Sequence, residues 1–163
     1  MTIAFISQEA QNNGMTTQTD VASVLSYLQG RENYAVTGNN ALAVYVPAEQ
    51  KFKLPFEVVG DVSHPSVIPS RRSILFDDAV IREAQTMPVH YNEQDYSVRV
   101  AKPEDLVTIA LVDNLRHGRD ASILFEHFGA DLNFEEIRNL MKGHPQYEDL
   151  YSQLARVYFE LSH

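Results

Sequence analysis

In the N-terminal stretch Val21, Val24, Leu25 and Leu28 recur at the three- and four-residue spacing that lines one face of a helix. Thr17 or Thr19 can cap that helix, and Gly30 closes it. The short apolar run from Asn33 to Val36 reads as a strand, and Gly38 supplies the backbone freedom for a sharp turn after it. Ala41 to Val46 is apolar throughout, which fits a buried helix and a strand equally, and Pro47 ends either one. Phe52, Leu54, Phe56 and Val58 then face one side while Lys53, Glu57 and Val59 face the other, the two-residue period of a strand. Pro55 puts that strand at a sheet edge or at its own bulge. Ser63 to Ser70 reads as a loop, and Asp77 opens a helical turn through Ala84. Val89–Tyr91 and Tyr96–Val100 flank Asn92-Glu93-Gln94-Asp95, the composition of a hairpin tip.

Beyond Pro103 the pattern is helical throughout. Pro103 in a first turn, with Glu104 and Asp105 at the positive end of the helix dipole, starts a helix whose Leu106, Ile109 and Ala110 share a face. His117-Gly118 breaks it, and Ala121 to Phe128 forms a second helix ended by Gly129. Asn133 caps a third, with Glu136 at the capping-box position, and Gly143-His144-Pro145 ends it. Tyr147 to Leu161 forms the fourth, with Leu150, Leu154, Val157, Tyr158 and Leu161 on one face. The expected fold is α/β or α+β: a small mixed sheet with an N-terminal helix and a C-terminal helical layer. One domain over residues 1–163 is expected, divided into a loose arm (1–16), a sheet-containing part (17–100) and a helical part (101–163).

Composition narrows the function classes. A chain of 163 residues that is 44% hydrophobic holds one sizeable core rather than two. It has no cysteine, which removes disulfides and thiolate zinc sites and fits a reducing compartment. Met1 to Ser7 has no basic n-region, and no run reaches the roughly 20 apolar residues of a membrane span, so a soluble cytoplasmic protein is expected. The net charge of −9 argues against broad contact with a DNA backbone. Local cationic groups remain at Lys51 and Lys53, at Arg71 and Arg72, and at Arg116, His117 and Arg119. Together they can receive a phosphate or an acidic partner, or they are ordinary solvated charges.

Gly38-Asn39 after a strand lets backbone N–H groups approach a phosphate, with a small polar side chain beside them; it is also an ordinary turn. Carboxylates suited to Mg²⁺ are sparse. Glu57 lies on the strand nearest the turn, Asp61 follows past a glycine, Glu93-Gln94-Asp95 falls in the hairpin tip, and Asp77-Asp78 are adjacent. None forms a convincing metal pair. The histidines, His64, His90, His117, His127, His144 and His163, lack metal-ligand spacing. Ser63, His64 and Ser66 lack the glycine elbow of a nucleophile.

Two segments, Tyr34-Ala-Val-Thr-Gly38-Asn39-Asn40-Ala-Leu-Ala and Val98-Arg-Val-Ala-Lys-Pro103-Glu104-Asp105-Leu106 through Gly118-Arg119-Asp120, resemble in that order the small nucleotidyltransferase-like proteins of bacterial toxin and antitoxin pairs. The resemblance spans roughly residues 20–130. That family works through an Asp-x-Asp on the strand after the glycine turn, and this chain has no such pair. Either that strand has been deleted and Phe52–Val59 corresponds to a later one, with Glu57 a remnant third carboxylate, or Glu57 replaces the pair. The resemblance implies a nucleotidyltransferase-like fold with weak or absent catalysis, Mg²⁺ only if active, and Glu57 as the catalytic candidate. It implies phosphate binding by Gly38, Asn39, Lys51 and Lys53 to a nucleotide or an RNA end, or the binding of a protein partner. Arg119 and Asp120 would tie the helical layer to the sheet, Asp120 as the cap of the helix from Ala121. The alternative is a non-enzymatic interaction or homodimerisation module that uses the acidic face of Glu135, Glu136, Glu148 and Asp149, or the apolar N-terminal arm.

Overall fold

A computed structural model of the chain describes residues 13–70, 77–112, 114–142 and 145–162. The first helix, α1 (Asn13–Leu28), carries the predicted stripe: Val21, Val24, Leu25 and Leu28 are fully buried. It begins earlier than expected, so Thr17 and Thr19 lie inside it rather than capping it, and residues 13–16 of the supposed arm form its first turn. The rest of that arm lies outside the described residues.

A five-stranded mixed sheet follows, with strand order β3-β2-β1-β5-β4. Its strands are β1 (Tyr34–Thr37), β2 (Phe56–Gly60), β3 (Val67–Pro69), β4 (Gln85–Tyr91) and β5 (Gln94–Val100). β1 occupies the centre because all four of its residues are buried, the unalternating run of a strand covered on both faces. It runs antiparallel to β2, pairing Thr37 with Glu57, and parallel to β5, pairing Val36 with Val100. β2 is shorter than its alternation predicts and is buried on both faces, Glu57 and Val59 included. Pro55 precedes it, so β2 sits inside the sheet instead of at an edge. β3 forms within the stretch read as a loop, pairing in parallel with β2. β4 and β5 make a long hairpin whose tip narrows to Asn92 and Glu93, both at positive φ.

Ala41–Val46 resolves as helix: α2 (Gly38–Tyr45) starts directly after β1 and packs on β1 and β2. The short α3 (Asp77–Arg82) covers the same two strands. Arg99 fastens it by donating from its guanidinium to the Ile81 carbonyl, while its Nε donates to the Tyr34 carbonyl at 3.3 Å.

The helical layer contains α4 (Pro103–Val112), α5 (Asn114–Phe128), a 3₁₀ turn (Gly129–Asp131), α6 (Phe134–Met141) and α7 (Tyr147–Ser162). α4 is buried nearly all round, as expected of a helix flanked by α5 and α6. α5 runs unbroken from Asn114, so Gly118, Arg119 and Asp120 lie within it and Asp120 does not cap a helix starting at Ala121. Asn133 caps α6 by accepting from the Glu136 N–H at 3.0 Å. The reciprocal half of the capping box is supplied by Glu104, whose carboxylate accepts from the Asn133 N–H at 3.0 Å. α7 packs chiefly on α6 and the 3₁₀ turn through Leu150 and Leu154. The architecture is α+β. Among the described residues no helix is long and apolar enough to cross a membrane.

Candidate functional site

The junction of β1 and α2 gathers most of the residues singled out from the sequence. Thr37 is the N-cap of α2, yet its side chain makes no cap hydrogen bond. Its hydroxyl instead donates across the strand pair to the Glu57 carboxylate, 3.2 Å from Oε2. The N–H groups that open α2 therefore lack a side-chain cap from Thr37, and the first turn carries no acidic residue. Gly38 sits at φ +71°, and a Cβ there would approach Glu57 Oε2 to 3.0 Å. Only glycine combines that conformation with that contact.

Asn39 and Asn40 turn away from this opening and organise the segment between α2 and β2. Asn39 Nδ2 donates to the Lys51 carbonyl at 3.0 Å. Asn40, which is buried, donates to the Lys53 carbonyl at 2.8 Å and accepts from the Lys53 N–H at 2.9 Å. The side chains of Lys51 and Lys53 are exposed. Gly38, Asn39, Lys51 and Lys53 are thus one local assembly. Asn39 contributes by placing Lys51, a role its position beside the glycine does not announce.

Glu57 is only 5% exposed, so its carboxylate faces the interior beneath Gly38 rather than an open cleft. Asp120 borders Gly38 from another direction: both line a narrow cleft of about 10 Å³ with Leu106 and Leu124. No sequence pattern links Gly38 to Asp120, which are brought together by the packing of α5 on α2. Arg119 is exposed. Two-metal chemistry asks for carboxylates that open onto a shared ion. Glu57, buried and already accepting from Thr37, does not fit that demand. Among the described residues no group of three or more His, Cys, Asp or Glu side chains is arranged to hold a metal ion.

The remaining candidates separate. Asp95 pairs with His90 at 2.7 Å at the hairpin end, both side chains being largely exposed. Arg71 and Arg72 lie outside the described residues. His64 meets Ser23 of α1, its Nε2 lying 3.3 Å from the hydroxyl oxygen. The Ser66 N–H donates to His64 Nδ1 at 3.1 Å. That bond makes Nδ1 the acceptor and leaves the ring proton on Nε2, so the imidazole donates to Ser23. A nucleophile and base require the reverse.

A second polar cluster has no sequence signature. Lys102, at the junction of β5 and α4, is buried and donates from Nζ to Glu83 at 2.9 Å and to Glu136. Burial works against its charge, but the hydrogen bonds it donates to Glu136 and Glu83 prevail and raise its pKa. Asp105 is 2% exposed, and its Oδ2 has no hydrogen-bond partner. Burial pushes its carboxyl up to about 7; Lys102 pulls the other way, while Glu83, Glu136 and Glu104 add to the rise. Glu136 belongs to this cluster and not to a free acidic face. Tyr45 lies close by, its hydroxyl donating to the Ala101 carbonyl at 3.0 Å, and burial followed by the charges of Glu104 and Asp105 raises its pKa. The cluster ties α3 and α6 to the sheet.

A search of protein-family models, curated proteins and solved structures returns no match to this chain.

Proposed function

We propose that this chain is a nucleotidyltransferase-like protein, of the kind found in bacterial toxin and antitoxin pairs, that binds the phosphates of a nucleotide or an RNA end without efficient transfer chemistry. The phosphates would meet the opening N–H groups of α2, with the Lys51 and Lys53 side chains as counter-charges. The observation that supports this reading is an α2 start that Thr37 does not cap, with the Glu57 carboxylate held beneath Gly38. Thr37 spends its hydroxyl on Glu57, leaving the α2 donors uncapped by it, while Glu57 is turned into the core. A carboxylate held there keeps the glycine turn in shape and opposes a second negative charge, so binding should be modest and helped by Mg²⁺ on the nucleotide.

Thermal unfolding of the intact chain with and without Mg²⁺ and each nucleoside triphosphate tests this. A ligand at about ten times its dissociation constant adds roughly 1.4 kcal/mol to native-state stability. For a domain of this size that raises Tm by about 3–6 °C. The Lys51→Ala, Lys53→Ala double variant should lose most of the rise. No rise with any nucleotide at millimolar concentration overturns the proposal. A second reading, an interaction module, is favoured by the exposed Tyr151 and Phe159 on α7.

A further inference from the structure

Helix α7 divides cleanly between two environments. Leu150 and Leu154 are buried toward α6, and the opposite side presents Glu148, Ser152, Ala155 and Phe159, all exposed and spaced along one face. Phe159 is 61% exposed and Tyr151 37%, the two large apolar side chains that stand out in solvent among the described residues. Tyr147 stacks on Tyr151 with ring centroids 5.7 Å apart, extending the aromatic surface toward the start of the helix. Beside this face runs a groove of about 400 Å³ between α6 and α7, walled by Phe134, Arg138, Tyr151 and Leu154. Solvated apolar surface continuous with an apolar groove is the usual mark of a docking site.

The exposed acids of α7, Glu148, Asp149 and Glu160, outnumber its one exposed base, Arg156, so a second copy can dock only in the register that pairs Asp149 with Arg156. Asp149 and Arg156 are both exposed and stand seven residues, two helical turns, apart on one flank of the face. A second α7 laid antiparallel across the first brings Asp149 of each copy against Arg156 of the other, twice, by the two-fold symmetry of the pair. A parallel arrangement would oppose like charges. The small side chains of Ser152 and Ala155 fall at the crossing and let the helices approach closely, and Phe159 of each copy falls opposite the start of the other helix, near Tyr147.

We propose that this face of α7 is a self-association surface on which a second copy of the chain docks antiparallel. The 16 residues of α7 span about 24 Å. One such crossing falls short of the ~1,200 Å² typical of stable complexes. The dimer is therefore a micromolar, concentration-dependent one. It involves no nucleotide and stands apart from the α2 turn.

Sedimentation velocity of the intact chain, without nucleotide and across the micromolar range, should show mass rising from monomer to dimer. Asp149→Arg and Arg156→Asp should each weaken association at least about tenfold, because each sets like charges face to face. Circular dichroism should show both variants folded. An equimolar mixture of the two should dimerise again, since each supplies the charge the other has lost. Phe159→Ala should weaken association without altering the charge pairs. A wild-type chain that stays monomeric throughout, charge variants that associate like wild type, or a mixture that stays monomeric would each overturn the proposal. Because the nucleotide test reads Tm at dilute protein, failure of either proposal leaves the other standing.

Discussion

Gly60 and Gly30 both adopt positive φ, yet their surroundings predict different costs of substitution. At Gly60, φ is +120° and a Cβ would lie 2.2 Å from the Asn33 carbonyl oxygen and 2.6 Å from Tyr34 Cα. Both neighbours are backbone, held by the β1–β2 pairing, so neither can give way. At Gly30, φ is +86° and a Cβ would meet nothing within 4 Å. Gly60→Ala should therefore cost about 3 kcal/mol, the sum of conformational strain and overpacking, against about 1 kcal/mol for Gly30→Ala. Urea denaturation midpoints at constant m-value will separate the two. Equal costs would mean that β2 and the Asn33–Tyr34 backbone can part without loss.

Elements are joined by a few buried polar groups whose charge states matter. The Asp105 carboxyl is pushed up to about 7 in the folded chain, from an ordinary value of 3.8. Between those pH values the folded state holds more protons than the unfolded state, so the contribution of Asp105 to stability falls as pH rises and levels off above about 7. Stability measured for wild type minus Asp105→Asn should decline across that window by of order 2–4 kcal/mol. A flat difference would show that Asp105 is ionised in the folded chain at no cost. The same cluster marks where sequence stops informing. The stripe of α1, the start of α4 and the Asn133 cap rest on contacts within a few residues, and periodicity exposes them. β3 does not, because Val67–Pro69 becomes a strand only by lying along β2. Phe52 and Leu54 alternate like a strand, but the Asn39 and Asn40 amides take the Lys51 and Lys53 carbonyls and hold that stretch outside the sheet. Gly118 looks like a break and is carried within α5, since tertiary packing outweighs a propensity penalty of about 1 kcal/mol.

For the molecule as a whole, one turn of a central strand into a helix organises the candidate site, and the neighbours of that turn come from distant parts of the chain. Glu57 reaches it through the β1–β2 register and Asp120 through the packing of α5. The glycine, the asparagine and the two lysines were legible from local sequence; the burial of the carboxylate and its bond to Thr37 were not, because both depend on strand pairing. On the proposed function this turn receives phosphate, and the nearest carboxylate, Glu57, lies beneath its glycine. An amide-resolved NMR titration of the chain with Mg-ATP examines that picture most directly. Gly38, Asn39 and residues 51–53 should shift together along one saturating curve while the nucleotide is recovered intact. Unperturbed Gly38 and Asn39 amides at saturating nucleotide, or rapid release of pyrophosphate, would contradict it.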